Sequence, residues 1–122
     1  MRIPRVASFA IPIALLTTLA CGEFQKQADS KFGDQNFKSA IALIELHKVR
    51  FGSYPERLSD LKFTGDWDQI WMSAVKYTKL PDGGYDLDLV RGWVGTPQLS
   101  YPPEFWHGLG LRKSNVMRSG GA

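Results

Sequence analysis

The strongest constraint on the fold is a segment without glycine or proline, residues 37–51, which is followed by the sequence Gly-Ser-Tyr-Pro. A segment of this length predicts an α-helix of about four turns. Gly52 is the expected end of the helix, because glycine adopts positive φ at little cost. Pro55 restricts Tyr54 to an extended conformation and suits the first position of a new turn. The chain is therefore expected to reverse direction at residues 52–55, which we call the joint.

The predicted helix carries two apolar stripes. Successive helical residues are about 100° apart, so residues three or four positions apart share a face. The first stripe, expected to pack on a sheet, contains Phe37, Ala40, Ile41, Ile44 and Phe51. The second, which we call the outer stripe, lies nearly opposite and contains Ala42, Leu46 and Val49. A later loop of the same chain is its expected cover, and a protein partner is the alternative, which makes Leu46 and Val49 candidate interaction residues.

Two alternating segments predict a β-hairpin. Residues 75–78 and 85–89 alternate between apolar and polar side chains, and Pro-Asp-Gly-Gly between them is typical of a turn. Tyr85, Leu87 and Leu89 are expected to face the helix. The opposite, open face of the hairpin is expected to carry Lys76, Asp86 and Asp88, with Lys76 paired across the strands, and it is a second candidate interaction surface.

These segments predict an α+β fold with one main N-terminal helix packed on a small antiparallel sheet. A short second helix is expected after the joint, where Leu58 and Leu61 share a face. The chain after Arg91 contains three prolines that exclude a long central strand, so an irregular C-terminal tail is expected. Most of the four tryptophans are expected in the core, and they are Trp67, Trp71, Trp93 and Trp106.

Residues 1–20 have the pattern of a signal peptide, because Arg2 and Arg5 precede an uncharged segment, residues 6–20. As a helix this segment is about 23 Å long, against roughly 30 Å of hydrocarbon, and Pro12 interrupts it, so cleavage is favoured over a retained transmembrane anchor. The predicted organisation is a signal peptide over 1–20, a polar tether over 21–33, an α+β domain over 34–111 that begins with Asp34 as helix N-cap, and a flexible basic tail over 112–122.

Cys21 is the only cysteine, which excludes an internal disulfide. The segment Leu19-Ala20-Cys21-Gly22 resembles the lipobox of bacterial lipoproteins, in which the signal peptide is cut before the cysteine and the thiol receives a diacylglycerol. The family prefers leucine three places before the cysteine, where this chain has Thr18. The resemblance implies lipidation of Cys21 and attachment to a membrane on its periplasmic side, the outer membrane where the cell has one. Ordinary secretion with cleavage near Ala20 or Gly22 is the alternative.

The order of helix, Gly-x-Tyr-Pro, leucine-containing turn and hairpin resembles the globular half of type IV pilin-like proteins, most closely the pseudopilins of type II secretion. The matching residues are Ala42, Leu43, Leu46, Gly52, Tyr54, Pro55, Leu58 and Leu61, with His47 where the family often has an aromatic residue. Residues 76–89 correspond to its first hairpin. The resemblance implies a pilin-like fold, structural roles for Gly52, Tyr54 and Pro55, and a protein partner in the cell envelope.

One departure from that family limits what the resemblance implies. Pilin-like proteins retain a long apolar helix after cleavage, with a glutamate near its start, and this helix builds the filament. In this chain the charged residues 23–31 occupy the corresponding place. The resemblance therefore implies the fold rather than membership of a filament.

The charges and titratable residues favour no catalytic chemistry. Without Arg2 and Arg5, 13 basic and 12 acidic residues leave a net charge of +1, so we expect no nucleic-acid partner. His47 and His107 lack the spacing of metal ligands, and no phosphate-binding loop is present, so we expect no metal and no cofactor. The expected function is a non-enzymatic, lipid-anchored envelope protein. The alternative is a small secreted enzyme or ligand-binding protein with a pocket formed by Trp106 and His107.

Overall fold

The computed structural model describes residues 3–62, 65–66 and 68–120, and for residues 3–21 it describes the backbone alone. Its main element is a 49-residue helix, α1 (Ile3–Phe51), which is followed by a three-residue 3₁₀ turn (Leu58–Asp60). The remaining elements are α2 (Asp68–Ser73), β1 (Val75–Lys79), β2 (Tyr85–Leu89), β3 (Ser100–Tyr101), α3 (Pro103–Trp106), β4 (Leu111–Lys113) and β5 (Met117–Arg118). The predicted α+β class, with one main N-terminal helix and a short helical turn after the joint, is confirmed.

The main sheet has three strands in the order β1-β2-β4. β1 and β2 form the predicted antiparallel hairpin, in which Val75 lies opposite Leu89 and Lys79 opposite Tyr85. β4 instead runs parallel to β2, so the prediction of an antiparallel sheet is wrong for the third strand. Parallel neighbours need a crossover of a dozen or more residues, and residues 90–110 provide it. The sheet is therefore mixed.

The chain after β4 is ordered rather than irregular. β5 pairs in parallel with β3, and Val116, between β4 and β5, is buried. The Asn115 side chain accepts a hydrogen bond from Leu89 N (2.8 Å) and donates one to Leu89 O (2.8 Å), so it extends the sheet beside β2. The prediction of an irregular, flexible tail over residues 112–122 is wrong for residues 112–118, because strand pairing and these hydrogen bonds fix them.

The core lies between one face of α1 and the hairpin. Its largest members from these elements are buried as predicted, and they are Phe37, Ile41, Ile44, Tyr85, Leu87 and Leu89. Phe51 was predicted on the same face of α1 but is 57% exposed, and its ring packs against His47 with a centroid distance of 4.7 Å. Because it is the last residue of α1, its position follows from the helix end rather than from the sheet.

Two of the three tryptophans that the structure describes fill the core. Trp71 and Trp106 are buried, as predicted. Trp106 Nε1 donates a hydrogen bond to Tyr101 O (3.1 Å), which satisfies its polar atom inside the core. Trp93 is 51% exposed, against the prediction, and Trp67 lies outside the described residues.

The polar residues 22–33 are part of α1 and do not form the predicted tether. Gly33 is buried, and a Cβ there would lie 2.6 Å from Pro97 Cγ, so the helix and the crossover touch at this point. Asp34 lies inside α1 instead of capping it, and it accepts hydrogen bonds from Lys38 Nζ (3.0 Å) and Tyr101 OH (2.6 Å). The segment of residues 22–33 is polar, and contacts with residues distant in sequence therefore hold its end on the domain. The signal peptide over residues 1–20 stays a prediction.

The joint ends α1 and turns the chain toward the 3₁₀ turn. Gly52 has φ +82°, and its N–H donates to Lys48 O (2.8 Å). Tyr54 and Pro55 are buried, and Pro55 O accepts a hydrogen bond from Tyr77 OH (2.5 Å). Within the part of the chain that the structure describes, no helix has the length and hydropathy needed to cross a membrane.

Candidate functional site

The outer stripe of α1 is open to solvent. Ala42 is exposed, and Leu46 and Val49 are 37% and 80% exposed. The prediction that a loop of the same chain covers this stripe is therefore wrong for Ala42 and Val49, whereas Leu46 is only partly exposed and borders Leu61 and Lys62 of the loop after the joint. Beside the stripe, a shallow hollow includes Leu46, His47, Arg50, Phe51 and Leu61.

The open face of the sheet brings together the three residues predicted there. Lys76, Asp86 and Asp88 line one hollow of about 430 Å³, together with Thr78, Lys113, Ser114 and Asn115. Lys76 lies opposite Asp88 in the strand register, but the three ion pairs found among the described residues do not include it. Asp88 Oδ1 instead accepts a hydrogen bond from Asn115 N (2.9 Å). The predicted cross-strand ion pair is therefore absent from the described residues.

Asp86 has an unusual environment in this hollow. Its Oδ1 is buried, and none of the described residues donates a hydrogen bond to it. A buried polar atom without a partner costs free energy, so most such atoms in proteins are hydrogen-bonded. A donor from outside the described chain would remove that cost.

A carboxylate that the sequence analysis did not single out connects the joint to the sheet. Glu45, on α1, accepts hydrogen bonds from Tyr54 OH (2.9 and 3.1 Å), Tyr85 OH (2.8 Å) and Gly110 N (3.1 Å). The pKa of Tyr54 rises to about 12, mainly through burial and then through its hydrogen bond to Glu45. The same two causes, in the same order, raise the pKa of Tyr85. Both tyrosines are therefore held neutral, as donors to one carboxylate.

The space around this carboxylate is filled by the protein itself. A Cβ on Gly110 would lie 2.3 Å from the hydroxyl oxygen of Tyr54 and 2.5 Å from the adjacent ring carbon. Tyr54 and Tyr85 pack edge to face with ring centroids 4.9 Å apart. Glu45 therefore fixes the joint, β2 and the crossover to α1, and we interpret it as a structural residue. The only local signal for it is an acid between apolar residues on the predicted helix.

A second such carboxylate, Asp29, binds the beginning of the crossover. Its Oδ1 accepts hydrogen bonds from three successive N–H groups, those of Trp93 (3.0 Å), Val94 (2.7 Å) and Gly95 (3.0 Å). The Val94 N–H is the main cause of the lowered pKa of Asp29, and burial opposes it. A Cβ on Gly92 would lie 1.9 Å from the backbone oxygen of Asp29, so only glycine permits this approach. The glycines at both ends of Gly-Trp-Val-Gly were the available sequence signal.

The loop bound by Asp29 presents apolar side chains to solvent. Trp93 and Val94 are 51% and 62% exposed, and Phe24 of α1 is 63% exposed. The Phe24 and Trp93 rings meet edge to face with centroids 6.1 Å apart. We call these three residues the aromatic patch. Phe24 lies three residues beyond Cys21 in the sequence, and the side chain of Cys21 is outside the described part of the chain.

The structure does not assemble the alternative Trp/His pocket. Trp106 is buried, and the hollow beside it is lined by residues 111–114 and 116–118, not by the exposed His107. Among the described residues no group of three or more His, Cys, Asp or Glu side chains is placed to hold a metal ion. No family model, curated protein or solved structure matches this chain.

Proposed function

We propose that this chain is a lipid-anchored protein-interaction domain of the cell envelope rather than an enzyme. The observation that carries the proposal is the exposure of the outer stripe, Ala42, Leu46 and Val49, on a helix whose opposite face is buried. A stable core is thus complete without this stripe. Contiguous exposed apolar residues on a folded domain favour a docking surface for another protein.

Two carboxylates of α1, Glu45 beside the joint and Asp29 beside the beginning of the crossover, support a structural rather than a catalytic role. Both Glu45 and Asp29 have several hydrogen-bond donors from the chain itself. A general base needs to reach a proton of the substrate, and these oxygens are already directed at protein groups. We therefore infer that Glu45 and Asp29 stabilise the fold and do not act on a substrate.

The resemblance to pilin-like proteins supports the choice of partner. In both, a helix packs one face on a sheet and continues through Gly-x-Tyr-Pro into a short turn. A domain of this type that keeps one helix face free is suited to side-by-side contact with another envelope protein. The hollow with Lys76, Asp86 and Asp88 is a second candidate contact, because Asp86 Oδ1 lacks a donor among the described residues.

The test is crosslinking of the full-length protein in intact cells of the source organism. The wild type should give one discrete adduct with an envelope protein. Leu46→Asp and Val49→Asp should remove this adduct, because a charge in the interface loses its hydration. Val49→Asp should keep a free energy of unfolding within about 0.5 kcal/mol of the wild type, because Val49 is 80% exposed, whereas Leu46→Asp should lower it by about 1 kcal/mol, because Leu46 is 37% exposed.

Met117→Asp is the matched control, since Met117 is 62% exposed on β5 and does not belong to the outer stripe. This variant should keep the adduct. Retention of the adduct in both Leu46→Asp and Val49→Asp would contradict the assignment of the docking surface to α1. Charge reversals at Lys76 and Asp88 would then test the open face.

A further inference from the structure

The aromatic patch differs from the outer stripe in both position and construction. The α1 residue of the patch is Phe24, and Val49 of the outer stripe lies 25 residues further along the same helix. Phe24 and Trp93 come from segments far apart in sequence, and the three hydrogen bonds from the loop to Asp29 hold them together. These hydrogen bonds fix the position of the Trp93–Val94 loop beside Phe24, so the patch is part of the folded surface of the domain.

We propose that the aromatic patch enters the headgroup region of the membrane to which Cys21 is anchored. The inference rests on the proposed lipid anchor. Phe24 follows Cys21 by three residues of continuous helix, which is about 4.5 Å along the axis. Apolar faces of membrane-bound proteins enter the boundary between headgroups and acyl chains by about 5–10 Å. A diacylated Cys21 would therefore hold Phe24 within about 4.5 Å of the lipid-attached residue along the helix axis, close to that boundary.

The side chains of the patch suit this boundary. Tryptophan is enriched there because its indole is apolar over most of its surface and has one N–H for the hydrated side. Val94 contributes an aliphatic side chain to the same loop. Trp93 is half exposed, whereas Trp71 and Trp106 are buried in the core. The hydrogen bonds from the Trp93 loop to Asp29 hold Trp93 at the surface.

The surrounding charges are compatible with an anionic membrane. Between residues 22 and 31, the exposed charged side chains are Glu23, Lys26 and Lys31. The fourth charged residue, Asp29, is buried and its carboxylate is directed at the loop N–H groups. The exposed charge of this segment is therefore +1, which favours anionic lipid headgroups.

A single fluorescent label can measure the depth of the patch. Acylation consumes the only cysteine of the sequence, so a newly introduced cysteine is the one free thiol of the anchored protein. Full-length Val94→Cys and Val49→Cys are produced in a host that acylates lipoproteins, labelled with an NBD maleimide, and reconstituted in vesicles of phosphatidylethanolamine and phosphatidylglycerol. Both positions are exposed, so the label is compatible with the fold. Some vesicles contain lipids with a nitroxide near the top of the acyl chain.

The expected result is a blue shift of NBD emission at position 94 and loss of most of its intensity with nitroxide lipids, with neither change at position 49. Equal, unquenched emission at both positions of vesicle-bound protein would overturn the inference and leave the anchor intact. A blue shift at position 94 that disappears on dilution of the protein in lipid, without quenching, would indicate a second copy on the patch and would also overturn it. Protein that does not float with vesicles, or wild type that reacts with the maleimide, would refute the anchor itself.

Discussion

Replacement of Glu45 by alanine tests whether one carboxylate holds the joint on the domain. The change removes the acceptor of Tyr54 OH, Tyr85 OH and Gly110 N. Tyr85 is fully buried, so its hydroxyl would lose its partner in a place that water reaches poorly. Tyr54 is less enclosed, and water can replace part of its interaction. The helix itself should be unaffected, because alanine is the best helix former.

The magnitude follows from the number of bonds lost. A hydrogen bond to a charged group contributes about 1.5–3 kcal/mol, and contributions within one network are not additive. Counting the Tyr85 bond in full and the other two in part, we expect Glu45→Ala to lower the free energy of unfolding by about 2–4 kcal/mol. For a domain of this size the midpoint of thermal unfolding should fall by roughly 10–20 °C.

The assay is thermal unfolding of the purified full-length protein in detergent, followed by near-ultraviolet circular dichroism of the buried aromatic residues. Glu56→Ala is the matched control, because Glu56 is an exposed glutamate whose one ion pair among the described residues is with Lys79 at 2.7 Å. It should change the free energy of unfolding by less than about 1 kcal/mol. If Glu45→Ala and Glu56→Ala melt at the same temperature, Glu45 does not hold the joint and the structural role assigned to it is wrong.

Three further predictions concern the anchor, the joint and the tyrosines. Metabolic labelling with a clickable fatty acid should mark the wild type and not Cys21→Ser, and equal labelling of both would refute lipidation at this residue. Gly52→Val should lower the melting temperature, because Gly52 has φ +82° and a β-branched residue is strained there, although a Cβ at this position meets no other atom within 4 Å. Pro55→Ala should also lower it, through about 1 kcal/mol of chain entropy and through the cavity left by the fully buried proline ring. A Gly52→Val variant that melts at the wild-type temperature would contradict the assigned helix end. The Tyr54 pKa rises from 10.0 in the unfolded chain to about 12, so its contribution to stability should be complete below pH 10 and be lost as the pH rises through 12. A pH titration of the melting temperature in which Tyr54→Phe shows the same loss as the wild type would contradict this.

Local periodicity was sufficient to predict α1 beyond Phe37 and the β1–β2 hairpin. Both are recognisable within windows of about fifteen residues, because side-chain alternation and helical spacing are local properties. The third strand was not predictable in this way. Leu111–Lys113 is only three residues long, and its place beside β2 depends on a crossover of about twenty residues.

The missed parts of the site have the same physical origin. Asp29 and Glu45 each bind N–H groups that lie more than sixty residues away in sequence. Within α1 they look like ordinary polar residues of a solvated helix face. The exposure of the outer stripe was missed for a related reason. Helical spacing shows that Ala42, Leu46 and Val49 share a face, but it carries no information about whether a distant loop reaches them.

The unbroken path of α1 would set the height of the domain above the membrane if Cys21 is lipidated as proposed. From residue 22 to Val49 the helix rises about 40 Å, at 1.5 Å per residue. With Cys21 in the membrane and the helix axis upright, the outer stripe would be presented about 40 Å above the lipid surface. Asp29 and Glu45 accept hydrogen bonds from the remainder of the chain at two positions along this helix. Unwinding of the helix between them would break these hydrogen bonds. A membrane-attached partner would then contact the outer stripe only if its own binding surface lies about 40 Å above the lipid. The distance from the membrane would thereby limit which envelope proteins can bind.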